Sequence, residues 1–252
     1  MPAPGSFFGN VALPLRCGRE NWSLNPMNLL VLGRGKTGLL VSQVALERRH
    51  HVQSLSAAEN AQAAALTPAS LQNFDVVVDF TAPHAVVGNI TACLHARKSI
   101  VVGTTGWYEH LPQVRNQVQQ SGAALVYGAN FSVGVNLFYE VVRSASAGFK
   151  RGYSGQIFER HHAHKKDAPS GTAIAIQDIL QSAGAPQFEI TSFREGEVVG
   201  MHELVLDSPN DTIYLCHDSK SRRGFAEGAV RAAEWLRGKK GIFDFRDIWK
   251  EV

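Results

Sequence analysis

The sequence predicts an α/β molecule in two parts: a doubly wound parallel sheet, then a smaller unit of α+β type. Three observations predict it. Residues 28–33 (NLLVLG) form a short, continuous apolar run that ends in a Gly-rich turn and a helical stretch, as a strand buried on both faces requires. Strand-like and helix-like segments then alternate as far as Asn130, the rhythm of parallel strands joined by right-handed crossovers. Beyond Asn130 three β-like runs follow one another with no helix between them, which favours an antiparallel or mixed sheet.

The elements are expected in this order. After the first strand a helix runs through Leu46, with Leu39, Leu40, Gln43, Val44 and Glu47 at helical spacing. Residues 50–55 make a second strand and 74–80 (FDVVVDF) a strong third, and Pro83 stands where a helix opens. Residues 99–105 make a fourth strand, 108–120 a helix and 123–130 a fifth strand. A helix over 133–149 leads to a strand near 155–160, a polar His/Lys segment and a helix beginning at Ser170. The runs FEITSF, VVGMHELVL and TIYLCHD are the consecutive strands of the second unit. In the tail, Phe225, Ala229, Ala232 and Leu236 recur at helical spacing and should face a core.

Composition narrows the function classes. The chain has 252 residues, is 44% hydrophobic and carries a formal charge of only +3, enough to bury a core in two modest domains. Lys and Arg are scattered, and the cluster from Lys220 to Arg223 is short, which argues against nucleic acid or a membrane surface as partner. No apolar run approaches the ~18–20 residues of a membrane span. Cys17, Cys93 and Cys216 stand at unrelated spacings, so they suggest neither a disulfide framework nor a zinc site, and they fit a reducing, cytoplasmic setting. Residues 1–26 have no basic segment ahead of their short apolar stretch and do not read as a signal peptide. Met27 is expected to be the natural start, with residues 1–26 an unpacked or non-native extension.

The turn GRGKTG (Gly33, Arg34, Gly35, Lys36, Thr37, Gly38) has G-x-G-x-x-G spacing between a buried strand and a helix. The first Gly permits the tight turn, the second lets a pyrophosphate approach the backbone, and the third lets helix and strand pack closely. This is the signature of a dinucleotide-binding, Rossmann-type unit, which the strand and helix rhythm carries from residue 27 to 130. The end of the second strand, VQSLSAAE, has no acid before Glu59, where an NAD-selective site would hold ribose hydroxyls. With Lys36 available for a 2′-phosphate, the reading leans toward NADPH or toward both NADPH and NADH. Two further loops sit at strand ends and should line the same cleft: Gly103, Thr104 and Thr105, and then Gly128, Ala129, Asn130 and Phe131.

The most informative stretch is ERHHAHKKDAPSGTAIAIQDIL, residues 159–180. Its second half starts a helix with Ser170 as N-cap, leaving the N–H groups of Gly171 and Thr172 and the Thr172 hydroxyl for a carboxylate. Its first half gathers His161, His162, His164, Lys165 and Lys166. Cations beside an anion-accepting helix end suggest an acidic substrate and proton transfer. Crowding by Lys166 and the histidines is expected to make Lys165 a readier proton donor. A metal is not expected, because Glu159 and Asp167 are the only nearby carboxylates and no two His share a helical face.

Seven segments appear in order from Met27 to the end: GRGKTG, VVDFTAPHA, VVGTTGW, ANFSVGVN, ERHHAHKKDAPSGTA, SRRGFAEGAVRAAEWL and GIFDFRDI. In this set the chain resembles the 4-hydroxy-tetrahydrodipicolinate (dihydrodipicolinate) reductase family of lysine and diaminopimelate biosynthesis. The resemblance implies NADPH- or NADH-dependent reduction of a small cyclic imine dicarboxylate. By matching positions it implies an acid/base role for His161 and proton donation by Lys165. It gives His162, Gly171 and Thr172 the substrate carboxylates, and the Gly-rich turn and the two strand-end loops the cofactor. It also implies a homotetramer built through the sheet of residues 131–221, and a discontinuous dinucleotide-binding unit in which residues 222–252 return to residues 27–130. Lys36 and Thr37 stand where many members carry Arg and Met.

Overall fold

The apolar run after Met27 lies inside a six-stranded parallel sheet in the computed structural model, which describes residues 25–252. The expectation for residues 1–26 lies outside the described residues except at Asn25 and Pro26. The strands are β1 (Asn28–Leu32), β2 (His51–Leu55), β3 (Val76–Asp79), β4 (Ser99–Val102), β5 (Ala124–Tyr127) and β10 (Gly241–Asp244). Their order is β10-β5-β4-β3-β1-β2. The chain leaves β1 on one side to β2 and returns on the other to β3. This is the switch point outside whose strand ends such sheets bind ligands.

Alternation along the strands sorts the two faces. Leu29, Val31, Val76, Val78 and Val126 face α1 (Lys36–Glu47) and α7 (Arg223–Trp235). Leu30, Leu32, Val77, Ile100 and Leu125 face α3 (Pro83–His95) and α4 (Leu111–Ser121). On α1 the buried side is Gly38, Val41, Val44 and Ala45, while Leu39 and Leu46 stay exposed. The buried stripe is therefore rotated from the Leu39–Gln43–Glu47 line, because Gly38 is the point of closest approach to the turn. A short helix α2 (Pro68–Leu71), begun by a Thr67–Ser70 capping box, is an element the hydrophobic pattern did not announce. The same is true of β10, which pairs with β5.

The expected 108–120 helix opens as a 3-10 turn over Tyr108–His110 before α4. The expected 133–149 helix ends earlier, as α5 (Val133–Ala145), and tightens into a 3-10 segment over Ser146–Arg151. The second sheet is mixed: β6 (Ser154–His161), β7 (Ile190–Arg194), β8 (Met201–Asp207) and β9 (Thr212–Asp218), in the order β7-β6-β8-β9. β6 and β7 are parallel, because α6 (Gly171–Ser182) crosses over between them, and β6-β8-β9 is antiparallel. α5 and α6 cover one face through Val135, Phe138, Ile176 and Leu180, packed on Ile157, Leu204 and Leu206. α7 then returns to the first sheet and buries Ala229, Ala232 and Leu236. Phe225 is only half-buried, since it lines the cleft between the two sheets. α8 (Phe245–Ile248) closes the chain.

Candidate active site

The first βα turn is shaped by its glycines. Gly33 has φ +99° and lies against the Phe80 carbonyl, and a Cβ on Gly38 would run into the Gly33 carbonyl. At Gly35 a Cβ would meet nothing within 4 Å, so the outer surface of the turn is open. α1 starts with no side-chain cap and no acid in its first turn. Its positive end and N–H groups face that open surface, and a pyrophosphate fits there. Arg34 runs along the end of β2, with Nη2 2.7 Å from the Ser54 carbonyl and Nη1 2.8 Å from Glu59. Glu59 is folded back by a turn in which it accepts the Ser56 N–H at 2.7 Å. An acid therefore stands at the end of β2 after all, four residues later in sequence than the usual position. The Ser56–Glu59 turn closes that gap, and spacing alone does not show it.

The next two strand ends serve different ends with different atoms. Gly103 packs on the Phe80 ring, and Thr105 lines the cleft. Thr104 is buried and donates to Asp79 at 2.8 Å. Asp79 also accepts from Thr81 N and Oγ1 at 2.9 and 2.7 Å and from Asn89 at 2.8 Å. Burial raises the Asp79 pKa, and those hydrogen bonds oppose the rise. Gly128 packs against Phe245. Ala129 and Asn130 reach the cleft, where Asn130 Nδ2 lies 3.3 Å from Thr172 Oγ1. Phe131 is 2% exposed, wedged between Phe80 and Phe245.

A cleft of about 470 Å³ runs from these loops to the second sheet, and Thr37, His161, His162, Lys165, Gly171 and Thr172 all line it. Ser170 caps α6, its hydroxyl accepting the Ala173 N–H at 3.2 Å. At Gly171 a Cβ would meet open space, so the first turn of α6 presents its backbone to the cleft. Lys165 is paired with a carboxylate of its own loop. Its Nζ lies 2.7 and 2.9 Å from the two Asp167 oxygens. Burial raises Asp167, but the Lys165 hydrogen bond and charge outweigh it and hold the carboxyl low. Burial, with help from Lys165 and Arg194, pulls His161 down to about 4 against the opposing pull of Glu159. Burial and the neighbouring His161 pull His202 to about 3. Both rings are neutral at pH 7. His162 is lowered by burial and then by Arg222, with a smaller push from Lys36. Lys36 and Arg222, from opposite ends of the chain, thus bring positive charge to the same mouth of the cleft.

Arg222, Glu159, Ser192, Arg194 and His202 were not assigned a part in the site from sequence. Arg222 lines the cleft just ahead of α7; in sequence it was one member of a short basic cluster. Glu159, fully buried, collects Ser170 N with both oxygens at 3.1 Å, and Ser192 and Arg194 at 2.7 Å each. His202 joins through Ser170 Oγ at 3.0 Å. These residues come from β6, β7, β8 and α6, and only the sheet register brings them together. Glu159, His161 and His202 offer three ligand atoms within 4.8 Å. A cation there would have to displace the Arg194 guanidinium from Glu159, so the donor set fits a hydrogen-bond hub rather than a metal centre.

A dinucleotide-shaped βα turn facing a cationic, carboxylate-accepting helix end defines a nicotinamide-dependent oxidoreductase of a small anionic substrate. Comparison with known proteins makes the class particular. Residues 27–131 match the model for the dihydrodipicolinate reductase N-terminus, and residues 134–249 match that for its C-terminus. A 4-hydroxy-tetrahydrodipicolinate reductase of Christiangramia forsetii is 35% identical over 243 residues, covering 90% of this chain and 99% of the relative. One of Laribacter hongkongensis is 33% identical over 201 residues, or 71% and 74% of the two chains. A dipicolinate-bound dihydrodipicolinate reductase structure from Paenisporosarcina sp. TG-14 superposes with a TM-score of 0.72 at 22% identity, covering 89% of this chain and all of that one. The chain belongs to the dihydrodipicolinate reductase family, which uses NADH or NADPH.

Proposed function

We propose that this protein reduces 4-hydroxy-tetrahydrodipicolinate to tetrahydrodipicolinate in diaminopimelate and lysine biosynthesis, with Lys165 delivering the proton. The observation that carries the reading is the convergence of Lys165, His162 and the bare start of α6 on one cleft below the strand ends of the larger sheet. The substrate's two carboxylates need fixed donors. Gly171 N, Thr172 N and Thr172 Oγ1 serve one, and His162 with the positive mouth of the cleft serves the other. A reduced nicotinamide dinucleotide, its pyrophosphate held at the Gly-rich turn, would supply hydride to one ring carbon once the 4-hydroxyl has left as water, and a proton then reaches the neighbouring carbon. Lys165 Nζ is paired with Asp167 at the edge of the cleft. His161, neutral at pH 7, is suited to accept a hydrogen bond rather than to lose a proton, which favours Lys165 as the donor.

Cofactor preference follows from Arg34 and Glu59. Glu59 suits the ribose hydroxyls of NADH, and Arg34, turned from Glu59, suits the 2′-phosphate of NADPH, so both cofactors are accepted. Freshly formed substrate with each reduced cofactor in turn, followed by loss of nicotinamide absorbance, tests the reaction. Oxidation with either is the expected result. Cofactor binding without oxidation would sink the assignment.

We also propose a division into residues 27–130 with 222–252, and residues 131–221. The pairing of β10 with β5 and the packing of α7 on α1 support it. A homotetramer through the second sheet is the proposed assembly. The face of that sheet away from α5 and α6 carries Phe158, Val205, Phe193 and Tyr214, and Tyr214 is 68% exposed. Light scattering should give four times the 27.4 kDa chain mass, and a monomer at micromolar concentration would refute the assembly. The unpaired cysteines Cys93 and Cys216 and the demand for reduced nicotinamide favour the cytoplasm. No described helix is long and apolar enough to cross a membrane.

A further inference from the structure

The loop that carries Lys165 leaves β6 after His161 and enters α6 at Ser170. A loop at a surface is free to move unless its backbone is tied down. Here its first half is tied by sheet-like bonds, Glu195 N to His161 O at 2.9 Å and Ala163 N to Gly196 O at 3.1 Å. Its end is tied by Ser170 N to Glu159. Between those anchors stands Asp167, which holds Lys165. Its backbone carbonyl accepts from Arg194 Nη2 at 2.7 Å, and the same nitrogen donates to Glu159 Oε1 at 2.7 Å. The other arm, Nη1, donates to the Phe193 carbonyl at 2.7 Å. The two terminal nitrogens of the guanidinium thus hold three acceptors between them, while Nε has no partner among the described residues.

The register explains why these groups meet. On the inner face of the second sheet, Glu159 lies opposite Ser192 and His202, and His161 opposite Arg194. Glu159 is 0% exposed yet held ionised, with a carboxyl at about 2. Burial alone would raise it, and bonds from Ser170, Arg194 and Ser192 more than reverse that. A buried carboxylate with several charge-assisted bonds is a rigid point in a fold. Arg194 bridges from this point to the Asp167 backbone and stays outside the 162–165 stretch that faces substrate.

We propose that Glu159 and Arg194 are positioning residues for the reaction: the guanidinium, anchored on the buried carboxylate, sets the Asp167 backbone and thereby places the Lys165 ammonium in the cleft. The proposal rests on the reading of Lys165 as proton donor. Arg194 then acts through Lys165, and its loss costs rate only while Lys165 is present.

The test is a double-mutant cycle of Arg194→Gln and Lys165→Ala, with kcat measured in each member and NADH affinity followed by fluorescence. Arg194→Gln is expected to lower kcat by about tenfold or more in the wild-type background, and by no more than about twofold beside Lys165→Ala. NADH affinity, read at the other sheet, stays within about twofold in all members. Arg194→Lys keeps the charge and one bond and should restore part of the rate. It also replaces Arg194→Gln in the cycle if that variant loses NADH binding through misfolding. Equal costs in both backgrounds, or a wild-type rate in Arg194→Gln, would overturn the positioning pair while leaving a slow Lys165→Ala intact. A wild-type rate in Lys165→Ala would overturn the donor assignment, and the pair with it.

Discussion

Arg34 and Glu59 meet 2.8 Å apart at the end of β2, joining the Gly-rich turn to the strand that follows it. The Ser56 side-chain and backbone bonds, with the nearby Arg34, outweigh the opposing effect of burial and lower the Glu59 carboxyl overall. The pair is exposed, with side chains 43% and 46% accessible, so by itself it adds little to stability. Its consequence lies in cofactor choice. Glu59→Gln removes the charge that accepts ribose hydroxyls and releases Arg34 for a 2′-phosphate. The expected result is a shift of roughly tenfold in the NADPH-to-NADH affinity ratio, the scale of one hydrogen bond to a charged group. Equilibrium titration of both cofactors measures it, and an unchanged ratio would place the ribose elsewhere.

Lys165→Ala should lower kcat by roughly 10²-fold or more, the contribution of a positioned general acid. His161→Asn should cost less if His161, neutral and buried, orients rather than donates. Steady-state rates of the two variants at pH 7 decide between them. The reverse order would move the proton to His161.

Much of this site was legible because its chemistry is contiguous. Gly33, Gly35 and Gly38 stand in a single turn, and Ser170, Gly171 and Thr172 in a single helix start, so spacing carries the geometry. Strands β1, β3, β4 and β5 were legible because buried parallel strands are continuous apolar runs. What stayed hidden depends on register or on folding back. Glu159, Arg194 and His202 come together only across three paired strands. Glu59 reaches the end of β2 through a turn. β10 was read as a family segment rather than a strand, because GIFD is four residues long and half of it is polar or Gly. On α1 the periodicity was visible, but the rotation of the helix was set by the backbone contact at Gly38.

Stability should fall steeply in mild acid. His161 and His202 have carboxylate, guanidinium and imidazole neighbours in Glu159, Arg194 and each other, and burial dominates, leaving them at about 4 and about 3 against an ordinary 6.5. From pH 6.5 down to about 4 the unfolded chain takes up protons at these imidazoles that the folded protein does not. Stability is therefore lost as pH falls through that window, by up to about 1.4 kcal/mol per pH unit for each ring. Glu159, at about 2, extends the loss below 4.5 with the same sign. Denaturant unfolding at several pH values measures the slope. His202→Gln keeps a group at the Ser170 hydroxyl but cannot titrate, and should flatten the slope by about one ring's share. A slope equal to that of the wild type would show that His202 is already charged in the fold.

Asp79 is the last relationship with a measurable consequence. Its two oxygens accept from Thr81, Thr104 and Asn89, and so fasten the end of β3 to the loop after β4 that lines the cleft through Gly103 and Thr105. All of these partners donate. Asp79→Asn would turn an N–H₂ group toward donors and leave at least one of them unpaired in a fully buried place. A loss of about 2–3 kcal/mol is expected, equivalent to a Tm lower by roughly 4–12 °C in a chain of this length. Because Thr104 is released with it, NADH should also bind more weakly, by a few-fold. A lower Tm with unchanged cofactor affinity would mean that the loop after β4 keeps its shape without Asp79, held by the Trp107 bond to the Thr104 carbonyl and by the packing of Gly103 on Phe80.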